Sequence, residues 1–238
     1  MITRRNVLLR TVASAALFGG VAAFGLIKLA FAAEKVGSAQ DVVNQAWGTP
    51  PGESKGELAQ ASPVHRNELL ETGEESGVEI QFADSSKLTM GQRARLTVDE
   101  FVYADPANSK SVLNLTKGAF RYVSGKMAED KVTLKTPTAT MVIRGTELKI
   151  DVADDGATEV SVLDGAIELT SLIAGTALSI VTGQSGLLNG GGAFQGGVRN
   201  FIHESNDPAV EFGLSELRSR LPIPGIPGVP GIPGLPLP

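Results

Sequence analysis

The chain has 238 residues, a formal net charge of −5 at pH 7, 28 glycines, 5% aromatic residues and no cysteine. That length holds one sizeable domain with appendages. The lack of cysteine excludes a disulfide framework and thiolate metal sites, and two histidines (His65 and His203) are too few for a His-rich cluster. Four of the 21 basic residues lie within residues 1–32, so the rest carries 17 basic against 26 acidic residues, a net of −9. Such a balance opposes binding to nucleic acid or to anionic lipid.

The N-terminus reads as an address. Arg4 and Arg5, within Thr3-Arg4-Arg5-Asn6-Val7-Leu8-Leu9, resemble the twin-arginine export motif, with Val7 where Phe is commoner. An apolar run of small residues follows over 12–27, then Lys28. Ala30 and Ala32 then supply the small side chains at the −3 and −1 positions that a signal peptidase needs, making 1–32 a secretory signal. Lys28 and the Ala/Gly content favour a cleaved signal over a stable span, an uncleaved membrane anchor being the alternative. The expected location is periplasmic or secreted.

Trp47, beside the turn residues Pro50-Pro51-Gly52, is expected to lid a small core. From residue 56 a two-residue period takes over. Val78, Ile80 and Phe82 alternate with Glu79 and Gln81, Leu113 and Leu115 with Asn114, Phe120 and Tyr122 with Arg121. Leu148, Ile150 and Val152 do the same before Asp154-Asp155-Gly156, and Val160 and Val162 resume it, a strong hairpin signal. The pattern predicts an all-β domain: an antiparallel sandwich, a rolled sheet or a short β-solenoid, which share this alternation.

Beyond residue 188 the composition changes. Residues 189–206 read as a Gly-rich flexible linker. Asp207-Pro208 begins an amphipathic helix over 207–221, with Val210, Leu214, Leu217 and Leu221 on one face. Docking on its own β domain is the plainer role for that helix, binding a partner the other. Residues 222–238 repeat apolar-Pro-Gly, too few triplets for a collagen helix; a docking tail and a disordered end both stay open.

Signs of catalysis are missing. There is no G-x-S-x-G, H-E-x-x-H, Walker loop or dinucleotide fingerprint, so no catalytic, cofactor-binding or metal-ligating residue is assigned. Asp151, Asp154 and Asp155 have oxygens that suit calcium, but their place around a tight turn favours local hydrogen bonding. Arg144, between Ile143 and Gly145, is expected to be partly buried and to tie neighbouring carbonyls together, so that Arg144→Ala lowers the melting temperature by several degrees.

Several blocks carry a family resemblance. Thr136-Pro137-Thr138-Ala139-Thr140 leading to Arg144-Gly145-Thr146-Glu147, the run Gly118-Ala119-Phe120-Arg121-Tyr122-Val123-Ser124-Gly125-Lys126, and Leu163-Asp164-Gly165 are similar to the FecR protein domain. The resemblance spans 37–188. Two departures stand out: Asp84-Ser85-Ser86 where the family usually reads Asp-Gly-Ser, and Val142 where Gly is usual. By this resemblance Thr136, Pro137, Gly118, Phe120, Ser124, Gly125, Arg144, Gly145 and Thr146 are motif positions, expected to be structural.

The resemblance implies a non-enzymatic periplasmic signalling module, without cofactor, that touches another envelope protein. Only three residues precede Arg4, so a stand-alone exported version is expected, and the family's control of a sigma factor is not carried over. A structural or adhesive envelope protein binding wall or matrix polymer is the alternative.

Overall fold

The computed structural model describes residues 33–104, 108–128 and 130–200. All belong to one of two compact units, Ala33–Pro238; the other is Met1–Ala32. The expected signal segment, the 207–221 helix and the Pro-Gly tail lie outside the described residues.

Every element among the described residues is a strand. In order they are β1 (Lys35–Val43), β2 (Ala46–Thr49), β3 (Gly56–Glu57), β4 (Pro63–His65), β5 (Leu69–Thr72), β6 (Gly77–Phe82), β7 (Lys87–Met90) and β8 (Arg95–Val102). They continue as β9 (Lys110–Val123), β10 (Val132–Lys135), β11 (Ala139–Val152), β12 (Thr158–Ser171), β13 (Ala177–Val181), β14 (Gln184–Leu188) and β15 (Arg199–Asn200). All fifteen join one hydrogen-bonded sheet that does not close into a barrel. The predicted all-β class is the observed one. Pairing is antiparallel except between β9 and β10, which run parallel, so the sheet is mixed.

Three strands of 14 residues organise it. The first half of β9 pairs with β8 and β10, its second half with β7 and β11. Likewise β12 pairs first with β14 and then with β13 along the same edge. A fully extended strand of that length spans roughly 46 Å. Yet Thr138, just before β11, donates its hydroxyl to the carbonyl of Gly156, just after it, at 2.8 Å. The strand is therefore folded back on itself. Gly118 in β9, Gly145 in β11 and Gly165 in β12 supply the corners, with φ of 107°, 59° and 85° that side chains with a Cβ resist.

Bending turns one sheet into two facing layers around a single core. Alternate residues point inward: Val78, Ile80 and Phe82 from β6, Phe120 and Tyr122 from β9, Leu148, Ile150 and Val152 from β11 on one side. Leu96 and Val98, Leu113 and Leu115, Leu134 and Met141 answer from the other. Phe82 stacks on Phe101 across the gap, ring centroids 5.1 Å apart. Of the architectures the alternation leaves open, the chain adopts the rolled sheet pressed into a sandwich.

The Gly-rich stretch departs from the linker expectation. Leu188 bridges to Phe194, Asn189 Oδ1 accepts from the amides of Gly191 and Ala193, and β15 pairs with β14. Phe194 and Val198 pack against the core. The physical reason is that two apolar side chains interrupt the glycines, and their burial outweighs the flexibility that glycine confers.

Candidate functional site

Sequence blocks remote in the chain converge behind the bends. Ser124 donates its amide to the Thr146 carbonyl at 2.9 Å, and Thr146 returns its amide to Ser124 Oγ at 2.9 Å. Lys126 donates its amide to the carbonyl of Asp84 at 2.7 Å, while Gly125 lies so close to the Asp84 carbonyl and Ser86 amide that no Cβ fits. In that turn Asp84 Oδ1 accepts both the amide and the hydroxyl of Ser86, at 3.0 and 2.6 Å. Tyr122 hydrogen-bonds Ser86. Burial, and then the Asp84 charge, keep its phenol protonated far above the usual range.

The usual Gly of this turn is replaced by Ser85, which sits at φ 71°, the left-handed region. The other departure, Val142, lies in regular strand paired with Thr133 and Glu168 and has no positive φ.

A second knot holds the β11–β12 turn. Thr136 Oγ1 accepts the amide of Ala139 at 3.1 Å, and Thr158 Oγ1 lies 2.9 Å from Thr136 Oγ1 and 3.1 Å from Thr138 Oγ1. All three threonines are buried, while Pro137 is exposed between them. Asp155 Oδ1 accepts the Ala157 amide and Asp154 pairs with Lys117 at 3.0 Å, so both serve the turn.

Arg144 does not occupy its expected place. It is exposed at the β11 corner beside exposed Gly145, its backbone in register with Ala166 of β12 and its side chain away from the strand carbonyls it was expected to tie. The corner bulge turns its side chain outward. The buried arginine is Arg121, 7% exposed, which forms an ion pair with Glu147 across β9 and β11.

Arg121 belongs to a polar row on the face opposite the core: Glu79, Thr89, Arg121, Lys149, Ser161 and Ser185 lie side by side on consecutive strands. Lys87 pairs with Glu79 at 3.6 Å and Lys149 with Asp151 at 3.4 Å, so the charges on this face come in opposite pairs. Next to the row is a shallow cleft of about 370 Å³, lined by Ala119, Asp151, Ala157, Glu159 and Leu187.

Near β4, buried Glu68 accepts the His65 amide at 2.7 Å and approaches His65 Nδ1 at 3.0 Å; burial nonetheless raises its pKa. Glu71 has its pKa lowered, first by the Lys55 hydrogen bond, with Arg95 adding to it. Lys55 also caps the ring of Trp47, its ammonium 4.4 Å from the centroid. Sequence reasoning missed Glu68, Arg121 and Thr158. The alternation places Arg121 on the outer face, but only the register of distant strands gives it Glu147.

Comparison with known proteins places these blocks. Residues 68–168 match the model of the FecR protein family. The chain carries a FecR domain. Both knots and the Arg121–Glu147 pair fall within it or at its edge, so the FecR motif residues meet in space. Crystal structures of a candidate anti-sigma factor from Parabacteroides distasonis ATCC 8503 align at 11% and 10% identity with TM-scores of 0.44 and 0.43. Each alignment covers 59% of this chain and 61% of the other, so the chain spans about three fifths of their length. Among curated proteins none matches. A FecR domain supports a regulatory signalling role. No helix among the described residues is long and apolar enough to cross a membrane.

Proposed function

We propose that this protein is an exported, non-enzymatic FecR module of the periplasm that signals by contact with another envelope protein. The FecR domain at residues 68–168 is the observation that carries the reading. The Arg4-Arg5 segment and the small residues Ala30 and Ala32 support export. The motif side chains support a scaffolding part for themselves: Ser124, Thr136, Thr138 and Arg121 spend polar groups on Thr158, on Glu147 and on nearby backbone. Recognition then falls to exposed groups such as Arg144 and to the strand edges.

The test combines fractionation with crosslinking. Full-length tagged protein is expressed in its source organism, crosslinked in intact cells and recovered from the envelope fraction. One receptor or membrane protein enriched over a tag-only control is the expected result. Recovery in the cytoplasm, or co-purification only with wall or matrix polymer, sinks the proposal; the latter favours the adhesive alternative.

A further inference from the structure

The described strands expose four unshared edges, and three are guarded. β4 begins with Pro63 and is followed by Arg66, β3 is two residues long and contains Glu57, and β15 contains Arg199. Proline, charge and shortness are the usual means of keeping an edge from pairing with another chain. β13 has none of them. It reads Ala177-Leu178-Ser179-Ile180-Val181, pairs only with β12, and lies in a stretch, residues 169–198, without a single charged residue.

Its free side can be read from the hydrogen bonds that bracket it. Thr182 donates its amide to Gly165 and Thr176 accepts from Ser171, so even-numbered residues face β12. By alternation the backbone groups of Ala177, Ser179 and Val181 point away from the sheet. Val181 gives its amide to Gln184 Oε1 at 3.2 Å; Ala177 and Ser179 are exposed. Leu172, Ile173 and Val181 stand exposed alongside, at 56%, 64% and 45%.

We infer that β13 pairs antiparallel with β13 of a second copy of this chain, about a two-fold axis through Ser179. Two features select a second copy over another partner. The chain is acidic, so two copies repel wherever charged surfaces meet; an uncharged edge is where they approach without that cost. The strand is also self-complementary in this register. Ser179 faces its own counterpart, Val181 faces the small Ala177, and Leu178 faces Ile180 on the core side. Because the outward residues are 177, 179 and 181, these pairs are the hydrogen-bonding ones, and about six inter-chain N–H···O bonds form once Gln184 releases Val181. Arg144 lies two strands in from this edge, in register with Ala166 and Val181, and the pairing itself uses only β13 backbone, so the inference does not rest on an envelope partner.

The full-length protein purified from the envelope is run in analytical ultracentrifugation over a wide concentration range. Wild type is expected to show a monomer–dimer equilibrium. Ser179→Lys, which brings two ammonium groups to the two-fold axis, is expected to be monomeric with unchanged circular dichroism. Since the chain has no cysteine, Ser179→Cys gives a clean second readout: mild oxidation should link it into a dimer, whereas Ser54→Cys, in an exposed loop, should crosslink only by collision. A wild type that stays monomeric, a dimer that survives Ser179→Lys, or Ser179→Cys crosslinking no faster than Ser54→Cys overturns the inference. So does loss of a different envelope protein from the Ser179→Lys pull-down with no dimer in wild type, which would assign the edge to that protein.

Discussion

Arg121 sits in β9 between Phe120 and Tyr122, so a two-residue period turns it from the core, and the pairing of β9 with β11 brings it beside Glu147. Removing one member of a buried pair leaves the other charge uncompensated, at a cost of about 3–5 kcal/mol. Arg121→Ala is therefore expected to lower the unfolding free energy by about 3 kcal/mol in a urea titration. Exposed Arg144→Ala should change it by no more than about 0.5 kcal/mol. The reverse ranking would restore the anchoring role expected for Arg144. Both arginines have apolar or glycine neighbours in sequence, and what separates them is long-range: one has a partner on the next strand, the other rides a corner. Ser85 is a second local test. Its φ of 71° is one that glycine adopts freely, so Ser85→Gly should stabilise the fold by about 0.5–1 kcal/mol, seen as a higher midpoint in the same titration. Two carboxylates give opposite pH signatures. Glu68 has a raised folded-state pKa, so its contribution is fully present below the ordinary value of 4.5 and is lost as pH rises through the folded value. Glu71 has a lowered one, so its contribution is present above 4.5 and is lost as pH falls through the folded value. Glu68→Gln should remove a decline in stability on the way up from pH 4.5, and Glu71→Gln should remove part of the acid-side loss.

At the scale of the strand, the corners decide the architecture. Gly118 and Gly145 both have positive φ, but a Cβ at Gly118 would stand 2.5 Å from that of Ala94, whereas one at Gly145 meets nothing within 4 Å. Gly145→Ala should cost only the backbone strain, about 1–2 kcal/mol. Gly118→Ala adds a clash with the turn that leads into β8 and should cost clearly more, lowering the melting temperature further. Equal losses would show that the Gly118 approach relaxes freely. Strand existence was legible from sequence because alternation such as Val78, Ile80 and Phe82 against Glu79 and Gln81 reports a half-buried strand directly. The bends were not, since Gly145 in β11 looks the same whether it makes a bulge within one layer or a turn into the next. The parallel pairing of β10 with β9 was hidden for the same reason: it depends on where the chain returns, which no local pattern records. The Thr136 block could be recognised as a motif, but its contact with Thr158 needed the fold-back of β11.

For the molecule as a whole, the boundary of the β domain is the point at which composition misleads. The glycines after residue 188 suggest a chain that has left the fold, yet Phe194 and Val198 return to the core and β15 adds to the sheet. Glycine lowers the cost of the tight path from β14, with Gly192 at φ 73°, and the apolar side chains hold the end of that path down. Burying most of a phenylalanine is worth about 1.5–3 kcal/mol. Phe194 is only partly buried, so Phe194→Ala in the full-length chain should cost about 1–2 kcal/mol. A chain ending at Leu188 loses that side chain, Val198 and the β15 pairing together, and should be less stable than one ending at Asn200 by more than the single substitution. Chemical denaturation of the three proteins checks the order. If ending the chain at Leu188 leaves stability unchanged, residues 189–200 are the linker that their composition suggests, and the contacts of Phe194 contribute nothing to folding.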